Sequence, residues 1–154
     1  MNFRNAELKD LDRIVEIYNS TIKDRMATAD TNFQSTADKT VWFNNHNSET
    51  RPIWMIEDDA YNCLGWVSIQ DFYGRPAYSG TAEISIYLAT EHRGKGLGKA
   101  ILEMAIEKCR QLPLHTLLGI SFAHNTASIK LFANAGFKEW GLLPQVAIMD
   151  EKPF

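Results

Sequence analysis

The glycine-rich segment at residues 93–99, with the sequence RGKGLGK, constrains the fold of this chain more than any other feature. It follows residues 81–88, which alternate as a β-strand does, and it precedes a run with apolar residues at helical spacing. A glycine-rich turn between a strand and a helix points successive backbone N–H groups outward, at the end of the helix that attracts anions. Arg93, Lys95 and Lys99 add positive charge. The segment therefore predicts a pyrophosphate-binding turn in an α/β protein.

Three glycine motifs compete to explain this turn. A Rossmann fingerprint requires glycine where the chain has Lys99, and it normally follows the first strand of a domain. A Walker A loop requires glycine at position 93 and serine or threonine where the chain has Ala100. The third pattern, Arg/Gln-x-x-Gly-x-Gly/Ala, is satisfied by Arg93, Gly96 and Gly98. A flexible strand–helix turn that binds nothing is the remaining alternative.

The other periodicities predict an α/β domain with helices on both faces of a mixed β-sheet. Strands are predicted at residues 3–6, 52–56, 63–70, 81–88, 117–122 and 137–142. Helices are predicted around residues 8–18, 37–46 and 127–135, and from the glycine-rich turn to about residue 112. The length of 154 residues and the absence of a linker or repeat predict one domain, 1–154.

Composition excludes several classes of protein. With 45% hydrophobic and 23% charged residues, the chain can form a sizeable core. A net charge of −3 argues against a surface built for nucleic acid or an anionic membrane. The two cysteines and four histidines show no metal-ligand spacing, so we expect free thiols and no metal. No signal peptide and no bilayer-spanning run are visible, which predicts a cytoplasmic protein.

Nearly the whole chain resembles the GNAT family of N-acetyltransferases, whose coenzyme turn has the third glycine pattern. Residues 78–87 (YSGTAEISIY), residues 125–129 (NTASI) and the pair Gly65-Trp66 resemble, more narrowly, the phosphinothricin and methionine sulfone/sulfoximine acetyltransferase branch. The resemblance implies the GNAT acyl-CoA N-acyltransferase fold and acetyl-CoA as cosubstrate. It also implies direct acetyl transfer to a small amine, an amino acid or analogue, and a homodimer.

The resemblance further implies which residues bind the coenzyme. The strand before the turn would bind the pantetheine through its backbone, and the amides of the turn would hold the pyrophosphate. Asn125 would contact the pantetheine arm, although a helix N-cap is the alternative role for this residue. The predicted coenzyme-binding residues are Ile86, Tyr87, Leu88, Arg93, Gly94, Lys95, Gly96, Leu97, Gly98, Lys99 and Asn125.

Glu83 is the predicted general base. An amine must be unprotonated to attack a thioester, and for an α-amino group this costs about 1 kcal/mol at pH 7. A carboxylate in a partly buried position can take that proton. Glu83 begins the strand that enters the turn, lies between Ala82 and Ile84, and matches the family's catalytic glutamate. A backbone N–H near Ile86 would stabilise the oxyanion. An ion-paired or exposed strand residue is the alternative for Glu83.

The acceptor side departs from the family pattern. The predicted substrate-binding residues are Phe33, Tyr73, Arg75, Glu83 and Ser85. Arg75 can hold a substrate carboxylate through two hydrogen bonds, with a plain surface charge as the alternative. Tyr73 stands where the branch often has a basic residue, and Phe132 stands where many relatives have Tyr or His to protonate the leaving thiolate. We therefore expect Phe132 to pack in the core or against the coenzyme.

Residues 142–146 (LLPQV) replace a Gly-x-Trp-x-Asp segment that is usual in the branch, so the resemblance does not identify the acceptor amine. Three alternatives remain. The first alternative is an enzyme that acetylates a protein N-terminus or another metabolite amine. The second is a sensor that binds acyl-CoA without catalysis, and the third is a nucleotide-binding module.

Overall fold

The computed structural model describes residues 1–154 and has a five-stranded central sheet whose strands lie in chain order. The strands are β1 (Asn2–Asn5), β2 (Ile53–Glu57), β3 (Cys63–Asp71), β4 (Thr81–Leu88) and β5 (Thr116–Leu118). Neighbours from β1 to β4 are antiparallel, whereas β4 and β5 are parallel. A separate hairpin follows, formed by β6 (Ile148–Met149) and β7 (Lys152–Pro153). The predicted mixed sheet is confirmed.

Helices cover both faces of the sheet. They are α1 (Leu11–Asn19), α2 (Thr36–Asn44), α3 (Leu97–Cys109) and α4 (Thr126–Asn134). On one face, Ile14 of α1 packs against Met55 and Trp66; on the other, Ile101 of α3 packs in a cluster with Ile84. Successive strand residues point to opposite faces, which is why a strand supplies both cores. None of the helices is long and apolar enough to cross a bilayer.

The predicted final strand at residues 137–142 is wrong. This segment has no strand partner, and Trp140 and Leu142 are exposed. The predicted strand at 117–122 is shorter in the structure, because β5 covers only Thr116–Leu118. A run of β-forming residues becomes a strand only where a neighbouring strand accepts its hydrogen bonds, and sequence periodicity does not show that neighbour.

The short β5 leaves much of β4 unpaired on one side. Only Thr81, Ala82 and Glu83 pair with β5, whereas β4 pairs with β3 from Ala82 to Leu88. From Ile84 to Leu88, the main chain of β4 therefore has an open edge that leads into the glycine-rich turn. This opening positions the candidate site.

Arg4 joins β1 to the segment before α1. Its guanidinium donates two hydrogen bonds, of 2.7 and 2.8 Å, to Asp10, and its Nε donates to Glu57 at 2.8 Å. The two carboxylate side chains are only 10% and 12% exposed. The hydrogen bonds from Arg4 hold the pKa of Asp10 below its usual value.

We expect Arg4→Met to lower the free energy of unfolding by about 2–4 kcal/mol at pH 7, because it leaves two carboxylates without their cation in a partly buried site. Urea denaturation measures this loss. Because the pKa of Asp10 is lower in the folded protein than in the unfolded chain, the contact with Arg4 stabilises the protein at pH values above the unfolded-state pKa. This stabilisation is lost on acidification, so the stability deficit of Arg4→Met should shrink below about pH 4. Arg110→Met, which breaks an exposed pair with Glu107, is the control and should change stability by less than about 0.5 kcal/mol. A deficit that does not depend on pH would contradict this explanation.

Candidate active site

The glycine-rich turn leads directly into the N-terminus of α3. Gly94 and Gly96 have φ values of +70° and +77°, and Gly96 is the N-cap residue of the helix. Nothing lies within 4 Å of a Cβ placed on either glycine, so the need for glycine is conformational and not steric. Left-handed residues alternating with ordinary ones form an anion-binding nest, which the helix dipole reinforces. Positive φ at two alternating glycines before a helix N-terminus suits an anion, and binding of a pyrophosphate here stays a prediction.

The three cations of the turn have different surroundings. Lys95 and Lys99 are exposed, and Lys99 lies 3.8 Å from Glu103. Arg93 instead donates from Nε to the Leu88 carbonyl at 2.9 Å, and its guanidinium also contacts the Ser20 hydroxyl. Arg93 thus ties the turn to β4 and to the end of α1, a role that the motif did not predict. Its contact with a phosphate stays a prediction.

The open edge of β4 offers main-chain groups from alternate residues. The Ala89 amide donates to the Leu64 carbonyl at 2.9 Å, and the Tyr87 carbonyl lies so close to β3 that a Cβ on Gly65 would be 2.3 Å away. Because hydrogen-bonding direction alternates along a strand, the main chain of Tyr87 faces β3 and that of Ile86 faces the open side. Among the three predicted pantetheine contacts, only Ile86 and Leu88 present their backbone to the opening, and the Leu88 carbonyl already binds Arg93.

Glu83 lies on the face of β4 that α1 and α2 cover, together with Ser85 and the ring of Tyr87. Its side chain is half-buried, forms no ion pair, and accepts one hydrogen bond, of 3.2 Å, from Gln70. The alternative of an ion-paired or exposed residue is therefore excluded. A half-buried carboxylate without a cation suits a general base, and this role stays a prediction.

An aromatic wall, formed by Tyr18, Trp42, Trp66 and Tyr87, adjoins Glu83 on the same face. The rings of Trp66 and Tyr87 stack at 4.5 Å, Tyr18 lies 5.2 Å from Tyr87, and Trp42 lies 5.7 Å from Trp66. Burial raises the pKa of Tyr87 well above its usual value, with a further contribution from the charge of Glu83. Tyr87 therefore stays neutral, with its ring on Trp66 and its hydroxyl donating to the Ala27 carbonyl at 3.4 Å.

The loop between α1 and α2 adds polar groups to the aromatic wall. The Tyr18 hydroxyl lies 2.5 Å from both the Thr28 hydroxyl and an Asp30 carboxylate oxygen. The ammonium of Lys39 lies 4.3 Å above the Tyr18 ring and 3.5 Å from Asp30. Sequence reasoning did not select these residues as site residues. They come from different elements, and no local pattern links them to Glu83.

The other predicted acceptor residues are scattered. Phe33 is 60% exposed, and Tyr73 and Arg75 lie on an exposed loop with the guanidinium 5.5 Å from the Tyr73 ring. Ser85 pairs with Ser68 across the sheet, two residues from Glu83. The structure thus brings Ser85 and Glu83 onto one face, while Tyr73 and Arg75 form no hydrogen bond or ion pair with them. Arg75 forms no ion pair, so its guanidinium is available to an anion.

Asn125 is the N-cap of α4, as the alternative interpretation predicted. Its side-chain oxygen accepts from the Ser128 amide at 3.1 Å, and its side-chain nitrogen donates to the Met26 carbonyl at 2.8 Å. Next to it, His124 Nε2 lies 2.8 Å from the Arg25 carbonyl. These bonds hold the α1–α2 loop against α4. A contact between Asn125 and the coenzyme stays a prediction.

Phe132 packs in the core, as expected. Its ring is so close to Gly119 that a Cβ there would be 2.6 Å away, and it lies 5.0 Å from the ring of Phe137. Since Phe132 has no proton to donate, it cannot protonate a leaving thiolate.

Comparisons with known proteins identify relatives of this chain. The family model described as an acetyltransferase (GNAT) domain matches residues 1–138.

The chain is 46% identical over 154 residues to YwnH of Bacillus subtilis, whose assignment as a phosphinothricin acetyltransferase is provisional. The match covers 100% of this chain and 94% of YwnH. It is 33% identical to the L-methionine sulfoximine/L-methionine sulfone acetyltransferase of Pseudomonas aeruginosa, covering 94% and 84% of the two chains. A phosphinothricin acetyltransferase from Sinorhizobium meliloti, solved with acetyl-CoA, superposes with a TM-score of 0.89 at 28% identity, covering 99% of this chain and 82% of that one.

Proposed function

Because this chain belongs to the GNAT family of acetyltransferases, we propose that it transfers the acetyl group of acetyl-CoA directly to the amine of an amino acid or amino-acid analogue. The acceptor would be of the phosphinothricin, methionine sulfone or methionine sulfoximine type, as the names of its relatives suggest. One observation carries the proposal. A single strand, β4, holds the half-buried Glu83, an open main-chain edge and the anion-binding turn in succession.

The coenzyme would lie along the open edge of β4. The outward amides of residues 94–98 would bind the pyrophosphate, and Lys95 and Lys99 would add positive charge. The Ile86 amide faces the opening and would contact the pantetheine or the thioester carbonyl. Acetyl-CoA supplies the activated acetyl group, and the chain supplies the orientation.

Transfer follows from the groups on β4. Glu83 takes a proton from the acceptor ammonium, and the amine lone pair then attacks the thioester carbonyl carbon. The Ile86 N–H stabilises the oxyanion of the tetrahedral intermediate. When the intermediate collapses, the C–S bond breaks, and water relays the remaining proton of the amine nitrogen to the coenzyme thiolate, since Phe132 cannot supply one.

The acceptor would lie between the aromatic wall and the exposed loop that carries Tyr73 and Arg75. Phe33 and Ser85 would complete its surroundings. The free guanidinium of Arg75 supports a role in holding a carboxylate through two hydrogen bonds.

A thiol-release assay with acetyl-CoA tests the function across amino acids and their sulfone, sulfoximine and phosphinic analogues. We expect release with amines that carry a carboxylate, and a raised KM for these acceptors in Arg75→Gln. Failure of every carboxylate-bearing amine would remove the role of Arg75. Coenzyme binding without turnover of any amine would favour a sensor, and ATP affinity equal to that for coenzyme A would favour a nucleotide-binding module.

We also propose that the enzyme is a single-domain cytoplasmic protein that forms a homodimer. Cys63 and Cys109 are both free thiols, which supports a reducing compartment. Large apolar side chains near the C-terminal hairpin are exposed, which supports an interface there. They are Trp140, Leu142, Leu143, Val146 and Ile148. Light scattering should give twice the chain mass, and Leu143→Glu should shift the mass toward the monomer. A monomer at all concentrations would contradict the dimer.

A further inference from the structure

Gln70 of β3 lies directly opposite Glu83 of β4 in the sheet register. Its side-chain nitrogen donates to Oε2 of Glu83 at 3.2 Å, which is the one hydrogen bond that this carboxylate makes within the protein. The other carboxylate oxygen, Oε1, has no protein partner. The carboxylate therefore has one oxygen held by a neutral donor and one oxygen available.

Trp42 of α2 holds the other end of the Gln70 amide. Its indole N–H points to Oε1 of Gln70 across 3.5 Å, a long hydrogen bond. An indole can only donate and an ionised carboxylate can only accept. Of the two ways to place an amide, only the one with nitrogen toward Glu83 and oxygen toward Trp42 satisfies both neighbours. The orientation of Gln70 is therefore determined from both ends.

Trp42 is itself held in place by its surroundings. Its ring lies 4.7 Å from the ring of His46, whose Nδ1 is 2.8 Å from the Trp42 carbonyl, and 5.7 Å from the ring of Trp66. The Lys39 ammonium lies 5.9 Å above it. A continuous series of contacts thus runs from α2 through Gln70 to the carboxylate on β4.

We propose that Gln70 is a positioning residue for Glu83: its amide, oriented by Trp42, binds Oε2 and so directs Oε1 toward the acceptor amine. The inference rests on the base role of Glu83 in the proposed function. A neutral donor stabilises the charged carboxylate and fixes its rotamer without cancelling its charge, which an arginine or lysine partner would do. Gln70 acts through Glu83 and needs no contact with the acceptor.

Other ionisable groups surround this face, and none of them donates a hydrogen bond to Glu83. They are Tyr87 on β4, Tyr18 on α1, Lys39 and His46 on α2, and Asp30 in the α1–α2 loop. Changes in the pH profile that follow substitution of Gln70 alone can therefore be assigned to its contact with Glu83.

The test is the pH profile of kcat/KM for the acceptor in Gln70→Met and Gln70→Glu. In Gln70→Met the charged carboxylate loses its donor, so kcat should fall roughly tenfold and the acid limb should move up by about one pH unit. Gln70→Glu places a like charge opposite Glu83 and should move the acid limb further. Trp42→Phe keeps an aromatic ring but frees the amide, and it should give a smaller shift in the same direction. KM for acetyl-CoA should stay at its wild-type value in all three.

Gln111→Met, at an exposed position after α3, is the matched control and should keep the wild-type profile. Circular dichroism and thermal unfolding identify any variant that does not fold, and Trp42→Phe then still tests the inference. A lower kcat with an unmoved acid limb in the folded variants would overturn the positioning role. Glu83→Gln in the same assay separates the two claims. If that variant keeps wild-type kcat, the base assignment fails and the Gln70 inference with it; if it is impaired while the Gln70 variants keep the normal profile, only the Gln70 inference fails.

Discussion

Glu83→Gln should lower kcat about 10²–10⁴-fold at pH 7, the range in which a positioned general base contributes. Glutamine has the size of glutamate and can still bond to Gln70, so the sheet and the acceptor contacts remain. What disappears is the group that takes the proton of the acceptor ammonium. Steady-state kinetics with acetyl-CoA and the best acceptor from the thiol-release screen measure the loss.

The pH dependence of this variant distinguishes a lost base from a damaged site. As the pH rises toward the pKa of the acceptor amine, more amine is already unprotonated, so the deficit of Glu83→Gln should narrow. The thermal stability should change little, because Glu83 makes no ion pair. Glu49→Gln, on the exposed surface, is the control and should keep wild-type kcat. A variant of Glu83 with wild-type kcat at pH 7 would show that another group, or water alone, accepts the proton.

Gly96→Val should weaken acetyl-CoA binding by roughly 5- to 150-fold, which corresponds to about 1–3 kcal/mol of backbone strain. Gly96 has a φ of +77°, a region that a β-branched residue adopts only at a high energetic cost. Since the turn is exposed, the chain can escape this strain by moving out of the left-handed conformation. The amides then no longer converge, and binding of the pyrophosphate must restore them. Isothermal titration with coenzyme A measures the loss.

Gly98→Ala is the matched control for this prediction. Gly98 lies within α3, and a Cβ there would meet the Leu131 side chain at 3.4 Å, which is ordinary contact. The glycine motif itself accepts alanine at this position, so affinity for coenzyme A should stay within a few-fold of wild type. Equal losses in Gly96→Val and Gly98→Ala would mean that crowding, and not the left-handed backbone, explains the need for glycine.

The parts of the site that sequence reasoning located all depend on local geometry. The turn at residues 93–99 was recognisable because positive φ at alternating positions requires glycine. Glu83 was selected because it begins the strand that enters this turn and matches the catalytic glutamate of the family that the chain resembles. Alternation along β3 and β4 could also have placed Trp66 and Gln70 on the Glu83 face, since their pairing follows from the hairpin-like order of the strands. Tyr18, Trp42 and Lys39 lie on helices whose docking no such rule describes.

The wrong strand and the different role of Arg93 have related causes. Residues 137–142 have strand-forming side chains, yet no neighbouring strand accepts their hydrogen bonds. Arg93 matches the motif, but its guanidinium binds Leu88 and Ser20, which only the folded arrangement of β4 and α1 brings near. In both cases the outcome depends on a partner distant in the sequence.

The sequence by itself determined the α/β class and the glycine-rich turn, because both rest on short-range periodicity or on backbone conformations open only to glycine. The family resemblance then pointed to Glu83 as the candidate base. The tertiary structure alone decided where β5 ends, and so that β4 has an open edge for a coenzyme. It also decided that Glu83 is without a cation and is held by Gln70. Both results depend on which distant groups approach a given atom, and that is a property of packing, which no local pattern of residues records.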